Sequence, residues 1–249
     1  MKIYLLVCIP IFILIPLSSQ KKNITLQDIF ENGVFRTNGV ADFKFSKDGE
    51  SYTRWVDSKI IRFDLRSSKE LEVVMDATID AKELIDQPVD YTFSKDETSI
   101  LFRVNIEKIY RNSTKATTYW YDIPARKLIR IFPNGKIMYP ELNAGADKVA
   151  FVYENNMYYQ HLLSGKIIQL TKDGKKNQII NGASDWAYEE EFKVLKCYEW
   201  SMTGDEIAFI KFDEKAVKEV TLNYYNDHAY PDEVHFKYPK VGEEISKVS

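Results

Sequence analysis

A short pattern that recurs four times along the chain constrains its fold more than any other feature. In each copy an aromatic or large apolar anchor residue is followed by a polar turn and then by an apolar strand; the anchors are Phe45, Phe93, Leu142 and Trp200. Successive anchors are 48, 49 and 58 positions apart in the numbering. Periods of roughly 40 to 50 residues are typical of propeller blades, in which each repeat forms one small antiparallel sheet.

The segments between the anchors also indicate short strands. Runs rich in β-branched and aromatic residues, such as YWYDI, KLIRIF and KVAFVY, are bounded by Asp, Asn, Gly and Lys turns. We therefore predict an all-β chain that forms a partial β-propeller of about four blades, each with four antiparallel strands, and little helix. The alternative is an ordinary β-sandwich with coincidentally similar hairpins, but four copies in one internal register favour the propeller.

The third interval contains extra residues whose composition differs from the strands around them. In this segment, NGASDWAYEEEFKVLKCYEW, the pattern predicts a short helix from Asp185 onward. Asp185 is a suitable N-cap, and Tyr188, Phe192 and Leu195 would share one apolar face. The sequence therefore predicts an amphipathic helical insertion in the propeller.

The early turns of this predicted helix are acidic, with Glu189, Glu190 and Glu191 in succession. On a helix, Glu190 and Glu191 lie about 100° apart and can converge on one small cation. A primary ammonium group offers three donors to such a pair, and its charge relieves the repulsion between the carboxylates. The alternative is a solvated acidic helix start.

Composition and motifs exclude several other classes of function. The chain has 34 basic and 37 acidic side chains and a net charge of -3, which disfavours nucleic acid and anionic membranes as partners. No HExxH, CxxC, P-loop or GxGxxG motif is present. His161, His228 and His235 have no serine or cysteine in a recognisable nucleophile context. We expect no metal site and no cofactor.

The first residues resemble a secretory signal. A lysine precedes an apolar run from Ile3 to Leu17, and small and polar residues follow it. The run is short for a membrane span and is interrupted by Pro10 and Pro16, so we predict a signal peptide over residues 1–20 and export to the periplasm or the extracellular space. The alternative is a membrane anchor formed by an uncleaved segment. Cys197 is the single cysteine after this run, which excludes an internal disulfide.

The stretch from Thr25 to the end resembles the N-terminal propeller of dipeptidyl peptidase IV and its bacterial relatives. The matching pieces are TLQDIFENGVFR, KIYRNSTKATTYWYDI, KVAFVYENNMYY, TKDGKKNQIINGASDWAYEEEF, FDEKAVKE and HFKYPKVGEE. DWAYEEEF is the most specific of them, because the family's DW-x-YEEE segment carries a double-glutamate motif that binds the N-terminal amine of the substrate. The resemblance implies that residues 25–249 form an incomplete propeller of this family. One departure is LNAGADKVAF, where the family has a serine-proline-aspartate-glycine turn.

The resemblance also implies a binding site. The double-glutamate motif falls on Glu190 and Glu191, and its supporting frame is formed by Asp185, Trp186 and Tyr188; Glu189 is the less favoured contact. The arginine that holds the backbone carbonyl of the substrate in the family corresponds to Arg111. Without the resemblance, Arg111 would be interpreted as a surface strand residue beside a turn.

The catalytic residues of the family are a Ser-Asp-His triad on an α/β-hydrolase domain, and the chain contains no G-x-S-x-G elbow and no triad. The resemblance therefore implies a substrate-gating and N-terminus-anchoring domain of an exported serine-type dipeptidyl peptidase with proline or alanine at the second substrate position. We expect it to be truncated before the hydrolase domain and inactive alone. Its expected partners are a peptide with a free N-terminus, the missing hydrolase domain and, in the full-length form, a second copy. The alternative is a non-catalytic exported propeller that binds peptides or proteins.

Overall fold

The computed structural model describes residues 23–37, 39, 42–85 and 89–249. It divides into two units, residues 1–41 and residues 42–249. The predicted signal peptide lies outside the described residues. In the first unit, helix α1 (Leu26–Phe30) begins with a capping box, in which Thr25 and Asp28 each accept a hydrogen bond from the backbone N–H of the other. Within the described ranges, no helix is long and apolar enough to cross a membrane.

In the second unit, the first three repeats each form a four-stranded antiparallel sheet whose strands are hydrogen-bonded in chain order. The first sheet contains β1 (Lys44–Phe45), β2 (Ser51–Val56), β3 (Lys59–Asp64) and β4 (Glu70–Asp76). Helix α2 (Ala77–Asp80) and a 3-10 turn (Lys82–Leu84) follow it. The second sheet contains β5 (Asp90–Phe93), β6 (Ser99–Lys108), β7 (Thr114–Asp122) and β8 (Lys127–Ile131). The third contains β9 (Met138–Leu142), β10 (Lys148–Tyr153), β11 (Asn156–His161) and β12 (Ile167–Gln169). These sheets confirm the prediction of an all-β, partial β-propeller chain.

One turn geometry follows the anchor in all four repeats. The residue after the anchor donates its backbone N–H to the carbonyl five positions later and accepts a hydrogen bond from the N–H three positions later. The residue that donates the second bond has a positive φ in every copy: 70° at Gly49, 60° at Glu97, 50° at Ala146 and 76° at Gly204. The LNAGAD turn thus has the same geometry as the others although its sequence departs from the family pattern.

Two of these turns offer a matched test of the repeat, because Gly49 and Gly204 share the left-handed conformation but differ in their surroundings. A Cβ added at Gly49 would meet nothing within 4 Å, whereas one at Gly204 would lie 2.8 Å from Nδ2 of Asn143. We expect Gly49→Ala to lower the free energy of unfolding by about 1 kcal/mol and Gly204→Ala by about 2–3 kcal/mol. Urea unfolding of both variants measures the difference, and equal losses would contradict this account of the fourth turn.

Hydrophobic cores lie between successive sheets, because the strands bury both of their faces. In β6, Ile100, Phe102 and Val104 point into the core shared with the first sheet, whereas Leu101 points into the core shared with the third. Side chains alternate between the two faces of a strand, so this pattern is what stacked blades require. Strand β10 repeats the arrangement one sheet further along, with Val149 and Phe151 on one side and Ala150 and Val152 on the other.

The fourth repeat differs from the predicted four-stranded blade. Its strands are distributed over three small sheets: β14 (Tyr198–Trp200) with β15 (Ile207–Phe209); β13 (Ile179–Asn181) with β16 (Lys211–Asp213) and β19 (Lys247–Val248); and β17 (Glu219–Tyr224) with β18 (Asp232–Lys237). The chain changes partner at Ile210, whose N–H bonds to the carbonyl of Cys197 while its carbonyl accepts from the N–H of Gly182. Strand β16 therefore pairs with the strand that precedes the helical insertion.

Candidate functional site

The predicted helical insertion is present as α3 (Trp186–Phe192), between β13 and β14. Its N-cap is Asp185, as predicted: one carboxylate oxygen accepts from the N–H of Tyr188 at 2.9 Å, and the other accepts from the hydroxyl of Ser246. The helix ends at Phe192, and Lys193 follows in the left-handed conformation with φ 58°. Both ends of the helix are thus fixed by local hydrogen bonds.

The predicted apolar face of this helix is only partly present. Tyr188 packs against Phe212, with ring centroids 5.0 Å apart. Phe192 is 68% exposed, and Leu195 lies beyond the end of the helix, so the expectation of a continuous apolar stripe over these residues is wrong. The fully buried side chain is that of Glu189, which is 1% exposed. The helix therefore buries a carboxylate, whereas the pattern predicted that its buried face would be apolar.

The partner of Glu189 is the loop that joins β6 to β7. Oε1 of Glu189 accepts hydrogen bonds from the backbone N–H groups of Asn112 at 2.7 Å and Ser113 at 2.8 Å. The loop also closes on itself, because the N–H of Ile109 bonds to the carbonyl of Ser113. A buried carboxylate needs hydrogen bonds to offset its loss of hydration, and these two donors supply them.

The loop and the helix bring two of the predicted site residues together. Nε of Arg111 lies 3.2 Å from Oε2 of Glu190. The Arg111 side chain is 73% exposed, whereas that of Glu190 is 10% exposed. Glu191 is exposed, and in the part of the chain that the structure describes its carboxylate has no hydrogen bond or ion pair. The structure thus separates Glu190, beside the arginine, from Glu191, in solvent.

Arg111 and Glu190 lie at a cavity of about 640 Å³. Its other lining residues are apolar or aromatic: Ile109, Tyr110, Trp186, Val220, Leu222, Tyr224, Val234, Phe236 and Tyr238. The Trp186 ring packs against Phe236 and Tyr238, with centroid distances of 5.4 and 4.6 Å. Trp186 thus forms part of the cavity wall. Burial, aided by the nearby carboxylates of Glu214, Glu189 and Asp185, raises the pKa of Tyr110 to about 12.

This arrangement combines a carboxylate, a guanidinium group and an apolar wall. A carboxylate beside aromatic rings favours a bound cation, because little water competes for it. The exposed guanidinium group has further N–H donors, which suit a carbonyl oxygen. The sequence did not reveal Tyr110, Phe236 and Tyr238 as cavity residues. The signal for Phe236 and Tyr238 is the aromatic alternation in HFKY, which comes beside α3 only in the folded chain. Among the residues that the structure describes, no cluster of three or more His, Cys, Asp or Glu could hold a metal ion.

A second buried carboxyl group, Glu214, lies near the N-cap of α3. Glu214 is 5% exposed. Burial and the neighbouring charge of Asp185 raise the pKa of Glu214 to about 7, although the nearby Lys237 lowers it in part. Two acidic groups near one buried helix end repel each other, so the folded chain holds a proton on Glu214 more tightly than the unfolded chain does.

This raised pKa predicts a pH dependence of stability. Between pH 4.5 and about 7 the folded state binds more protons at Glu214 than the unfolded state, so this group makes the free energy of unfolding fall as the pH rises through that window. We expect Glu214→Gln to be stabilised relative to the unmodified chain by up to about 3 kcal/mol more at pH 8 than at pH 4. Urea unfolding at both pH values measures this, with the exposed Glu206→Gln as control. An equal difference at both pH values would contradict the prediction.

The stacked four-stranded sheets, and the largely apolar cavity with Glu190 and Arg111 in its lining, define this chain as a partial β-propeller domain with a candidate ligand-binding site. A family model described as the dipeptidyl peptidase IV (DPP IV) N-terminal region matches residues 94–249. This chain belongs to that family.

Individual relatives agree with the family assignment. Prolyl endopeptidase FAP of Mus musculus is 27% identical over 234 residues, which cover 91% of this chain and 29% of that protein. Dipeptidyl peptidase 4 of Sus scrofa is 34% identical over 160 residues, which cover 62% of this chain and 21% of that protein. The crystal structure of Porphyromonas gingivalis dipeptidyl peptidase 4 superimposes with a TM-score of 0.82 at 33% identity and covers 91% of this chain and 33% of that one. The chain thus spans about a third or less of the length of these relatives.

Proposed function

We propose that this chain is the substrate-gating and N-terminus-anchoring domain of a dipeptidyl peptidase IV-type serine exopeptidase. The observation that carries the proposal is the pairing of Glu190 with Arg111 at the rim of an apolar cavity. The family membership supports the peptidase assignment, because the relatives named above are peptidases. The proposed ligand is a peptide with a free N-terminal amine.

In this proposal the ammonium group of the peptide binds the carboxylates of Glu190 and Glu191. Glu190 offers a carboxylate that is already held in place, and the exposed Glu191 is the next residue on the same helix. The guanidinium group of Arg111 then turns from Glu190 towards a backbone carbonyl of the peptide. Because an extended residue spans about 3.3 to 3.6 Å, an amine fixed at this point sets the position of the bond two residues further along.

The reaction itself requires a second domain. We propose that an α/β-hydrolase domain with a Ser-Asp-His triad supplies the nucleophile and most of the pocket that selects proline or alanine at the second position. The propeller then contributes only to binding and access, so the chain alone is expected to release no dipeptide. A second copy of the full-length form as partner stays a prediction.

Calorimetric titration of the chain with a tripeptide of sequence Ala-Pro-Ala tests the binding step. We expect the peptide with a free amine to bind and its N-acetylated counterpart to lose at least about tenfold in affinity, because acetylation removes the charge and two of the three donors. Equal binding of both peptides, or binding of neither, would sink the proposed anchoring role. Binding without any hydrolysis when a hydrolase domain is attached would favour the non-catalytic propeller.

We also propose that the chain is exported. The support is the apolar run from Ile3 to Leu17 with its preceding lysine and its small, polar flank. N-terminal sequencing of the chain from the secreted or periplasmic fraction is expected to show a start close to Gln20. An intact N-terminus in the membrane fraction would instead favour the uncleaved anchor, and an intact N-terminus in the cytoplasm would contradict export.

A further inference from the structure

Glu189 is buried at the centre of the contact between α3 and the β6–β7 loop. Glu189 is 1% exposed, and its Oε1 accepts from the N–H groups of Asn112 and Ser113, which are 77 and 76 residues away in the chain. Two charge-assisted hydrogen bonds to consecutive backbone donors fix both the position and the orientation of that peptide segment. The same carboxylate is enclosed, so it is not available to a ligand.

The segment held in this way carries Arg111. Arg111 immediately precedes Asn112, and its side chain reaches Glu190, the residue after Glu189 on the helix. Two neighbouring residues of the helix thus contact three consecutive residues of the loop: Glu189 holds the backbone of Asn112 and Ser113, and Glu190 contacts the guanidinium group of Arg111. Because the Arg111 side chain is 73% exposed, few side-chain contacts fix its direction. Its position therefore depends mainly on where the backbone of the loop lies.

We infer that Glu189 is a positioning residue, which sets the place of Arg111 opposite Glu190 through the backbone of Asn112 and Ser113. This inference rests on the proposed binding of a free peptide amine and deepens it. It assigns the first glutamate of the acidic run a role different from that of the two that follow, since Glu189 orients the loop while Glu190 and Glu191 are the proposed contacts of the peptide amine. We call the two hydrogen bonds from Asn112 and Ser113 to Glu189 the clamp. Loss of the clamp moves Arg111 without removing any group that touches the peptide.

The test compares Glu189→Leu, which has similar bulk but no acceptor, with Glu189→Gln, which keeps an acceptor oxygen. We expect Glu189→Leu to weaken binding of the free-amine peptide Ala-Pro-Ala roughly tenfold and Glu189→Gln to restore most of that loss. In an Arg111→Ala background, Glu189→Leu should change affinity less than about twofold, because a residue that acts through Arg111 has no effect when Arg111 is absent.

Three affinity results would overturn the inference: a full tenfold loss that persists in the Arg111→Ala background, a Glu189→Gln variant that binds as weakly as Glu189→Leu, or unchanged affinity in Glu189→Leu. Amide hydrogen exchange of Asn112 and Ser113 separates this inference from the proposed function. If the unmodified chain binds no peptide, the proposed function fails. The clamp can still be tested, because we expect these two amides to exchange slowly in the unmodified chain and to lose that protection in Glu189→Leu. Exchange that is equally slow in the Leu variant refutes the clamp, whatever the peptide result.

Discussion

Replacing Phe151 by alanine is expected to lower the free energy of unfolding by about 3–5 kcal/mol. Phe151 is 0% exposed and lies on the face of β10 that packs against the second sheet. Its ring lies 5.1 Å from that of Phe132 and is stacked on that of Tyr158 at 5.7 Å. The substitution removes both aromatic contacts and leaves a cavity between two blades, which the stacked sheets cannot close without moving as a whole.

Urea unfolding of Phe151→Ala beside Phe192→Ala measures this effect. Phe192 is the same residue type but is 68% exposed, so its replacement is expected to change the free energy of unfolding by less than about 1 kcal/mol. Similar losses in the two variants would mean that the second and third sheets are not packed face to face as the structure has them.

Replacing Glu190 by glutamine is expected to weaken binding of a free-amine peptide by about 30-fold or more. The substitution keeps the shape of the side chain and removes its charge, so an ammonium group in the cavity loses a charge-assisted hydrogen bond, a loss of about 2 kcal/mol or more. The effect is large because Glu190 is only 10% exposed and lies among apolar and aromatic residues, where water screens charge poorly.

Calorimetric titration of Glu190→Gln with Ala-Pro-Ala provides the measurement, and Glu206→Gln serves as a control. Glu206 is an exposed glutamate in the turn between β14 and β15 that does not line the cavity, and its replacement is expected to leave affinity unchanged within about twofold. If Glu190→Gln bound the peptide as tightly as this control, the Glu190 carboxylate would have no role in binding the amine.

The repeat and its turns could be predicted from the sequence because they depend on local signals. The anchor, the polar turn and the following strand lie within about ten residues, and the pattern stays visible even at Glu97 and Ala146, where the residue with positive φ is not glycine. The division of the fourth repeat could not be predicted. It depends on the change of pairing partner at Ile210, after which β16 pairs with β13, a strand on the other side of the inserted helix in the chain, and no local pattern shows such a long-range pairing.

The site shows the same division between local and long-range signals. The N-cap Asp185 follows from its own few neighbours and was predictable. The burial of Glu189 was not, because the pattern of a short helix does not show which side faces a loop 76 residues away in the chain. The aromatic wall at the end of β18 could not be predicted for the same reason: Phe236 and Tyr238 come into contact with Trp186 only in the folded chain.

The most direct test of the proposed site uses the indole N–H signals of the four tryptophans in a nitrogen-15 NMR spectrum of the chain. Trp186 lines the cavity, whereas Trp55, Trp120 and Trp200 do not. On titration with Ala-Pro-Ala, we expect the Trp186 signal to shift and saturate while the other three stay in place, and we expect the N-acetylated peptide to shift none of them. Shifts at Trp55, Trp120 or Trp200 without a shift at Trp186, or the same Trp186 shift with the acetylated peptide, would contradict a site for peptide N-termini at this cavity.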